Sequence, residues 1–286
     1  MISKSYILKF KEGAESPLFY FYKYISLSKF NGVKMKSFKT HLIESRASDM
    51  YEAEVANHIN SFNNVNAERP RVSTKYADVL ITLDGGERSW LEVKMNHTDN
   101  LTNPRIFYDG RKWDTTYTTT AAKQAIEIMN DSQEAKDFIE AIKKFTGRKT
   151  VKIPTTQTGL RDKDAVTLAE MKEYFGQPGI NRYITTMPNI NLGKTVTDHY
   201  LKGKAEPAHY MQAGDDFYRI GNANPLNLPK DLPLLSGTGP FKVRVATRSK
   251  YYEVQAEVKI AKMPDSRYSV KPGSRKKNPF QKIMDL

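Results

Sequence analysis

The stretch that decides the fold runs from residue 76 to residue 94 and reads YADVLITLDGGERSWLEVK. In its first half, Ala77, Val79, Ile81 and Leu83 alternate with Asp78, Leu80 and Thr82, which is the period-two pattern of a pleated β-strand. The sequence Asp84-Gly85-Gly86 predicts a tight turn, because glycine readily adopts the positive φ that such a turn requires. Residues 90–94 return as a second strand, so the stretch predicts a β-hairpin.

The predicted hairpin brings three charged side chains to one face. Glu92 and Lys94 are two residues apart, so both point to the same side of their strand. If the turn comprises residues 84–86, counting outward places Asp78 opposite Glu92, and Cβ atoms of facing residues are about 4.5–5.5 Å apart. Facing carboxylates repel each other, and a hard cation such as Mg²⁺ reverses that repulsion. The cluster therefore predicts a magnesium site for phosphodiester hydrolysis, with Mn²⁺ expected to substitute.

These residues resemble the motif of the PD-(D/E)XK nuclease superfamily, which includes many type II restriction endonucleases. The resemblance rests on Asp78 and on Glu92-Val93-Lys94, at about the usual hairpin spacing, preceded by a helix that carries glutamates. Ala77 stands where the eponymous motif has proline. The matching part of the chain covers roughly residues 45–145.

The resemblance implies both a fold and an activity. The fold class would be α/β, a restriction-endonuclease-like mixed sheet flanked by helices, with a β-rich C-terminal portion. The activity would be Mg²⁺-dependent cleavage of double-stranded DNA by a restriction-type or phage nuclease, and many such enzymes are homodimers. Asp78 and Glu92 would hold the metal, and Lys94 would position or activate the attacking water.

A helical pattern over residues 48–62 precedes the hairpin, and Ser48 is a suitable N-cap. Glu52 borders the apolar stripe of this helix. The resemblance implies that Glu52 completes the metal site, with Glu54 as the alternative. Both glutamates equally suit the ordinary role of acidic residues in a first turn, where they interact favourably with the helix dipole.

Composition indicates the class of partner. The chain has 286 residues, with 45 Lys and Arg against 32 Asp and Glu and a formal net charge of +13. A positive charge of this size favours nucleic acid as the partner, and the resemblance implies DNA. The absence of cysteine excludes disulfides and thiolate metal sites and suits a reducing cytoplasm, and the resemblance implies that of a bacterium or a phage-infected cell. No apolar run reaches about 18 residues, so no transmembrane helix is expected.

Six basic side chains are candidates for contacts with nucleic acid. They are Arg105, Arg111, Lys112, Lys242, Arg244 and Lys276. The first three follow the metal-site strand in a polar segment, residues 96–113, which we expect to be a loop. The next two point to the polar face of a second predicted hairpin over residues 241–261. The last belongs to a basic stretch that either follows a phosphate backbone or forms a disordered, solubilising end.

The second hairpin repeats the spacing of the first in Glu257-Val258-Lys259. With its turn centred on Ser249, the residue opposite Glu257 is Phe241, which is not an acid. Asp215 or Asp216 remains a possible source of a carboxylate from elsewhere in the chain. We therefore expect the chemistry at Asp78, Glu92 and Lys94.

The rest of the chain suggests four segments. They are an N-terminal extension over 1–35, a nuclease core over 36–150, a β-rich substrate-binding portion over 151–265 and a basic tail over 266–286. Residues 118–145 predict two helices separated near Asn130-Asp131-Ser132, and Thr167 with Glu170 forms a capping box. Six prolines between residues 180 and 240 predict short strands and irregular loops there.

Two other functions fit the same sequence. One is a nucleic-acid-binding protein without catalysis, and the other is an RNA nuclease. Several other classes are disfavoured, because the chain contains no phosphate loop of the G-x-x-x-x-G-K-[ST] type, no H-E-x-x-H zinc motif and no G-x-S-x-G motif.

Overall fold

The computed structural model describes residues 35–70, 76–154, 162–260 and 262–281. Nearly all of the predicted N-terminal extension lies outside these residues. The chain forms two compact units, Met1–Ala47 and Ser48–Leu286. The sheets and the charged cluster belong to the second unit. None of the described helices is long and apolar enough to cross a membrane.

The second unit combines two five-stranded sheets with helices, so the predicted α/β class is confirmed at this level. The first sheet has the order β1-β2-β3-β7-β8, and the second has the order β5-β4-β10-β9-β6. The strands are β1 Val65–Glu68, β2 Val79–Leu83, β3 Arg88–Lys94, β4 Arg105–Tyr108, β5 Trp113–Asp114, β6 Tyr183–Asn191, β7 Ala208–Ala213, β8 Asp216–Arg219, β9 Thr238–Thr247 and β10 Tyr252–Val258. The helices are α1 Met35–Ile59, α2 Thr120–Asp131, α3 Gln133–Thr146, α4 Leu168–Tyr174 and α5 Gly193–Lys202.

The β2–β3 hairpin has the predicted register. Val79 pairs with Leu91, and the Leu83 amide donates to the Glu87 carbonyl at 2.8 Å. Gly86 has a φ of 90°, which explains the need for glycine in this turn. The ladder ends at Val79, and Asp78 is the next residue outward in the same register. The alternation in the sequence therefore located both strands and their turn.

The predicted start of the first helix at Ser48 is wrong. Helix α1 begins at Met35, so Ser48 lies inside it, and its hydroxyl donates to the Glu52 carboxylate at 3.3 Å. The apolar stripe is confirmed at Val55 and Ile59, which are fully buried against β1, β2 and β3. An apolar stripe fixes which face is buried, but it does not mark where a helix begins.

Two further helix predictions are confirmed. The break between α2 and α3 falls at Ser132, whose hydroxyl accepts from the Ala135 amide at the start of α3. The capping box at the start of α4 is complete, because Thr167 and Glu170 bond to each other's backbone amides.

Two segments predicted as largely irregular contain regular structure. Residues 96–113 include β4 and the first residue of β5, and residues 180–240 include a nine-residue β6 and a ten-residue α5. Strand β6 contains Pro188 because it is an edge strand, where a missing backbone donor costs little. A proline usually signals that regular structure ends, but an edge strand can contain one.

Strands from both sides of residue 150 share each sheet. Strand β3 pairs in parallel with β7, and β4 pairs with β10. A common core lies between the sheets and includes Trp90 from the first sheet and Val254 from the second. The segment boundary proposed at residue 150 is therefore a position along the chain and does not separate the two sheets.

The described part of the predicted basic tail is packed into the core of the second unit. Tyr268, Val270 and Phe280 are buried in the same cluster as residues of β2 and β3. A disordered, solubilising end is therefore wrong for residues 266–281. The apolar side chains scattered among the lysines explain why this stretch folds onto the protein.

Candidate active site

The three charged residues of the hairpin lie together where β2 and β3 separate. The Val93 amide donates to Asp78 Oδ2 at 2.8 Å, and Lys94 Nζ donates to Glu92 Oε1 at 2.6 Å. Glu92 is almost fully buried, whereas Asp78 and Lys94 are partly exposed. The structure thus brings together the residues that the sequence selected.

Helix α5 and the turn after it supply side chains behind Glu92 that the sequence did not reveal. The Tyr200 hydroxyl donates to the Leu101 carbonyl at 2.9 Å and lies 3.4 Å from Glu92 Oε1. Lys204 Nζ lies 3.6 Å from Glu92 Oε2 and donates to the Tyr76 carbonyl at 3.1 Å. These contacts depend on the parallel pairing of β3 with β7, which no local pattern in the sequence indicates.

Asp78 is the carboxylate whose charge is least compensated. Burial, followed by the negative charge of Glu92, raises the pKa of Asp78 to about 7. Lys94 and the Val93 amide act in the opposite direction but do not overcome these effects. The raised pKa means that ionising Asp78 is unfavourable in the metal-free site, and a cation bound there would favour the ionised form.

Glu92 and Lys94 stay charged because each lies beside opposite charge. Burial opposes ionisation of Glu92, but Lys94 and Lys204 hold its pKa below the ordinary value. Burial also opposes the charge of Lys94, but Glu92 raises its pKa well above the usual range. His199 remains neutral, because burial and the neighbouring Lys204 lower its pKa to about 4.

Glu52 lies near the cluster but has its own partner. Its carboxylate forms an ion pair with Arg69, and both side chains are largely buried. The charge of Glu52 contributes to the raised pKa of Asp78, so it acts on the site through space. Glu54 is exposed on α1. Of the two glutamates, Glu52 is the one beside the cluster, and it would have to leave Arg69 to bind a metal.

The donor set at the hairpin fits a hard divalent cation. Glu92 Oε2 is buried and accepts no hydrogen bond from any described residue, but Lys204 Nζ lies 3.6 Å away, so a metal at this oxygen would replace Lys204 as its counter-charge. Asp78 offers a second, incompletely ionised carboxylate. Mg²⁺ commonly takes one or two carboxylates and keeps several waters. No group of three or more His, Asp or Glu suited to a metal occurs within the described ranges.

The six basic candidates lie apart from the cluster, and none has a hydrogen bond or ion pair to Asp78, Glu92 or Lys94 in the described part of the chain. Their partners are Asp114 for Lys112, Asp216 for Lys276, Glu253 for Arg105, Glu257 for Arg244 and the Tyr183 ring for Lys242. Arg111 is exposed. Three of the six, Arg105, Lys242 and Arg244, face outward from the second sheet.

The second Glu-x-Lys sequence has different neighbours. Glu257 pairs with Lys242 and not with Phe241, because the turn spans four residues between Thr247 and Tyr252 and shifts the register by one. Asp216 is not its partner, since it contacts His97 at 3.0 Å and Lys276 at 2.5 Å. Asp215 instead accepts from the Ser269 hydroxyl.

Comparison with known proteins adds no assignment. No protein-family model, no curated protein and no solved structure matches the chain.

Proposed function

We propose that the protein is a metal-dependent DNA endonuclease with a restriction-endonuclease-like core. One observation carries the proposal. Two buried or half-buried carboxylates and a lysine meet where a hairpin opens, and one carboxylate, Asp78, lacks a full counter-charge. Such an arrangement costs stability in the metal-free protein, and perturbed carboxyl pKa values of this kind concentrate at functional sites.

Some residues of the site would bind the metal or keep its ligands in place, and one would act on the substrate. Asp78 and Glu92 would hold Mg²⁺, which when bound lowers the pKa of its water and neutralises charge on the phosphate. Tyr200 and Lys204 keep Glu92 in place from behind. Lys94 bonds to Glu92 and is one-fifth exposed, so its ammonium is positioned to orient a water or a phosphate oxygen.

Nucleic acid is the class of substrate that the charge favours. The net charge of +13 gives the protein long-range attraction to a polyanion. A mixed sheet that carries the cluster on a hairpin, with α1 before it and α2 after it, is compatible with the proposed fold. A homodimer would supply two such sites for the two strands of a duplex.

Plasmid cleavage tests the proposal directly. Wild-type protein is expected to nick or linearise supercoiled DNA with Mg²⁺, to stop with EDTA, and to lose activity in Lys94→Ala. An RNA substrate in the same assay separates an RNA nuclease from a DNA nuclease. If neither polymer is cut, and salt-sensitive binding persists in Asp78→Asn, the protein is a nucleic-acid-binding protein without catalysis.

A further inference from the structure

The outer face of the second sheet carries charged side chains although its inner face is apolar. On β9, Lys242 and Arg244 alternate with the fully buried Phe241 and Val243. On β10, the outward residues are Glu253, Gln255 and Glu257, and they are only 1%, 7% and 4% exposed. These three side chains point away from the hydrophobic core, so other residues must shield them from solvent.

Arginines cover the two glutamates. Arg105 Nε lies 2.9 Å from Glu253 Oε1, and Arg248 Nη2 lies 3.3 Å from the other oxygen. Arg244 Nε lies 2.5 Å from Glu257 Oε1. The three arginine side chains remain 42%, 44% and 38% exposed. Each arginine is held by an ion pair, and because a guanidinium has five N–H donors it keeps further donors for a ligand.

The strand register arranges these residues in a row. Arg105 pairs with Gln255, Gln255 pairs with Arg244, and Arg244 pairs with Tyr183. Neighbouring strands are about 4.8 Å apart, so Arg105 and Arg244 are spaced by about 10 Å across the sheet. Tyr183 ends the row at the sheet edge, where Lys242 Nζ lies 5.1 Å from its ring centroid.

Stability does not account for this arrangement. A buried carboxylate pays a large desolvation penalty, and buried ion pairs are often no more stabilising than apolar residues of similar size. Four cations face two carboxylates here, so the surface keeps positive charge. A guanidinium whose orientation is fixed matches the geometry of a phosphate and loses little freedom on binding.

We propose that this arginine face, formed by Arg105, Lys242, Arg244 and Arg248 with the supporting Glu253 and Glu257, binds the phosphate backbone of nucleic acid. It deepens the proposed function by naming the surface that holds the substrate. The two glutamates are positioning residues, because they orient the guanidiniums and do not themselves meet an anion.

Binding without metal tests this surface apart from cleavage. Fluorescence anisotropy with a short labelled DNA duplex and an RNA duplex, both in EDTA, would compare wild type with Arg244→Gln and the Arg105→Gln/Arg244→Gln pair. Arg148→Gln is the matched control, since Arg148 is also a partly exposed arginine paired with a glutamate, Glu170. Removing each phosphate contact is expected to weaken binding about five- to tenfold at low salt and to reduce the salt slope by about one.

A second variant guards against loss of folding. Lys242→Gln leaves both carboxylates paired and is expected to weaken binding about threefold or more. Weaker binding of either duplex in these variants, with Arg148→Gln within about twofold of wild type, supports the surface. Folded double and Lys242 variants that bind both duplexes like the control overturn it. Because the measurement needs no cleavage, it can succeed in a protein that proves not to be a nuclease.

Discussion

Two buried glutamates, one in each sheet, have closely matched surroundings. Glu92 and Glu257 are both 4% exposed, and each begins a Glu-x-Lys sequence on the second strand of a hairpin. Each has a cationic partner and a tyrosine hydroxyl at 3.4 Å, from Tyr200 and Tyr183 respectively. Spacing and burial therefore do not distinguish the two positions.

The residues beside the glutamates do distinguish them. Glu92 has the carboxylate of Asp78 nearby and two lysines as partners, whereas Glu257 faces Lys242 and pairs with an arginine. The first arrangement leaves one carboxylate short of positive charge, and the second does not. A cation site needs a carboxylate whose negative charge is not already balanced, and a Glu-x-Lys sequence alone does not provide one.

The largest expected effect is on cleavage by the two lysine variants. Lys94→Met is expected to lower the single-turnover cleavage rate by about 100- to 1,000-fold, because under the proposed function it removes the charge that orients the water or the phosphate. Lys259→Met is expected to stay within about twofold of wild type. Equal losses in the two variants would mean that general charge reduction, and not the cluster, explains the effect.

The next effect concerns stability of the metal-free protein. Glu92→Gln leaves Lys94 and Lys204, with side chains 20% and 12% exposed, without their common anion, and we expect a loss of about 3 kcal/mol. Glu257→Gln leaves only Arg244, which is 38% exposed and can be hydrated, so the loss is expected to be below about 1 kcal/mol. Chemical denaturation in EDTA measures both. Similar losses would remove the electrostatic distinction between the sheets.

Asp78→Asn is expected to stabilise the metal-free protein. The folded-state pKa of Asp78 is raised to about 7, so the native protein binds more protons than the unfolded chain between about pH 4 and 7. Its contribution to stability therefore falls as the pH rises through that window. The variant should equal wild type near pH 4 and exceed it by roughly 1–3 kcal/mol at pH 8. A destabilised variant at pH 8 would contradict the raised pKa.

The smallest difference is expected between the free energies of unfolding of two tyrosine variants. Tyr200→Phe removes the donor to the buried Leu101 carbonyl and should cost about 1–2 kcal/mol. Tyr183→Phe removes a long contact to Glu257 from an exposed side chain and should cost below about 0.5 kcal/mol. Thermal unfolding in EDTA compares them. The reverse order would show that the tyrosine behind Glu92 is not part of a tightly packed site.

The hairpin and its charged face were predictable because their determinants are local. The alternation around Val79, the glycine turn and the offset from Asp78 to Glu92 all lie within nineteen residues, and the register follows by counting. Helix breaks with capping side chains, such as Ser132, were predictable for the same reason. These features are determined by residues that are close in sequence and do not depend on the rest of the fold.

The surroundings of Glu92 were not predictable because they come from distant parts of the chain. Lys204 and Tyr200 are more than one hundred residues away in sequence and arrive through the parallel pairing of β3 with β7. The partners of Arg105 and Arg244 likewise depend on the β4–β10 and β9–β10 registers. A four-residue turn over residues 248–251, where a turn centred on Ser249 was expected, was enough to change the residue opposite Glu257.

Thermal unfolding with and without Mn²⁺ tests most directly whether Asp78 and Glu92 share a divalent ion. Metal that binds the native site is expected to stabilise wild type by about 4 kcal/mol at a thousandfold excess over Kd, and to leave Asp78→Asn unchanged. At pH 8 the order of stability should then reverse, with the variant higher in EDTA and wild type higher in Mn²⁺. A wild-type Tm that does not respond to Mn²⁺, or an equal rise in the variant, would contradict the account.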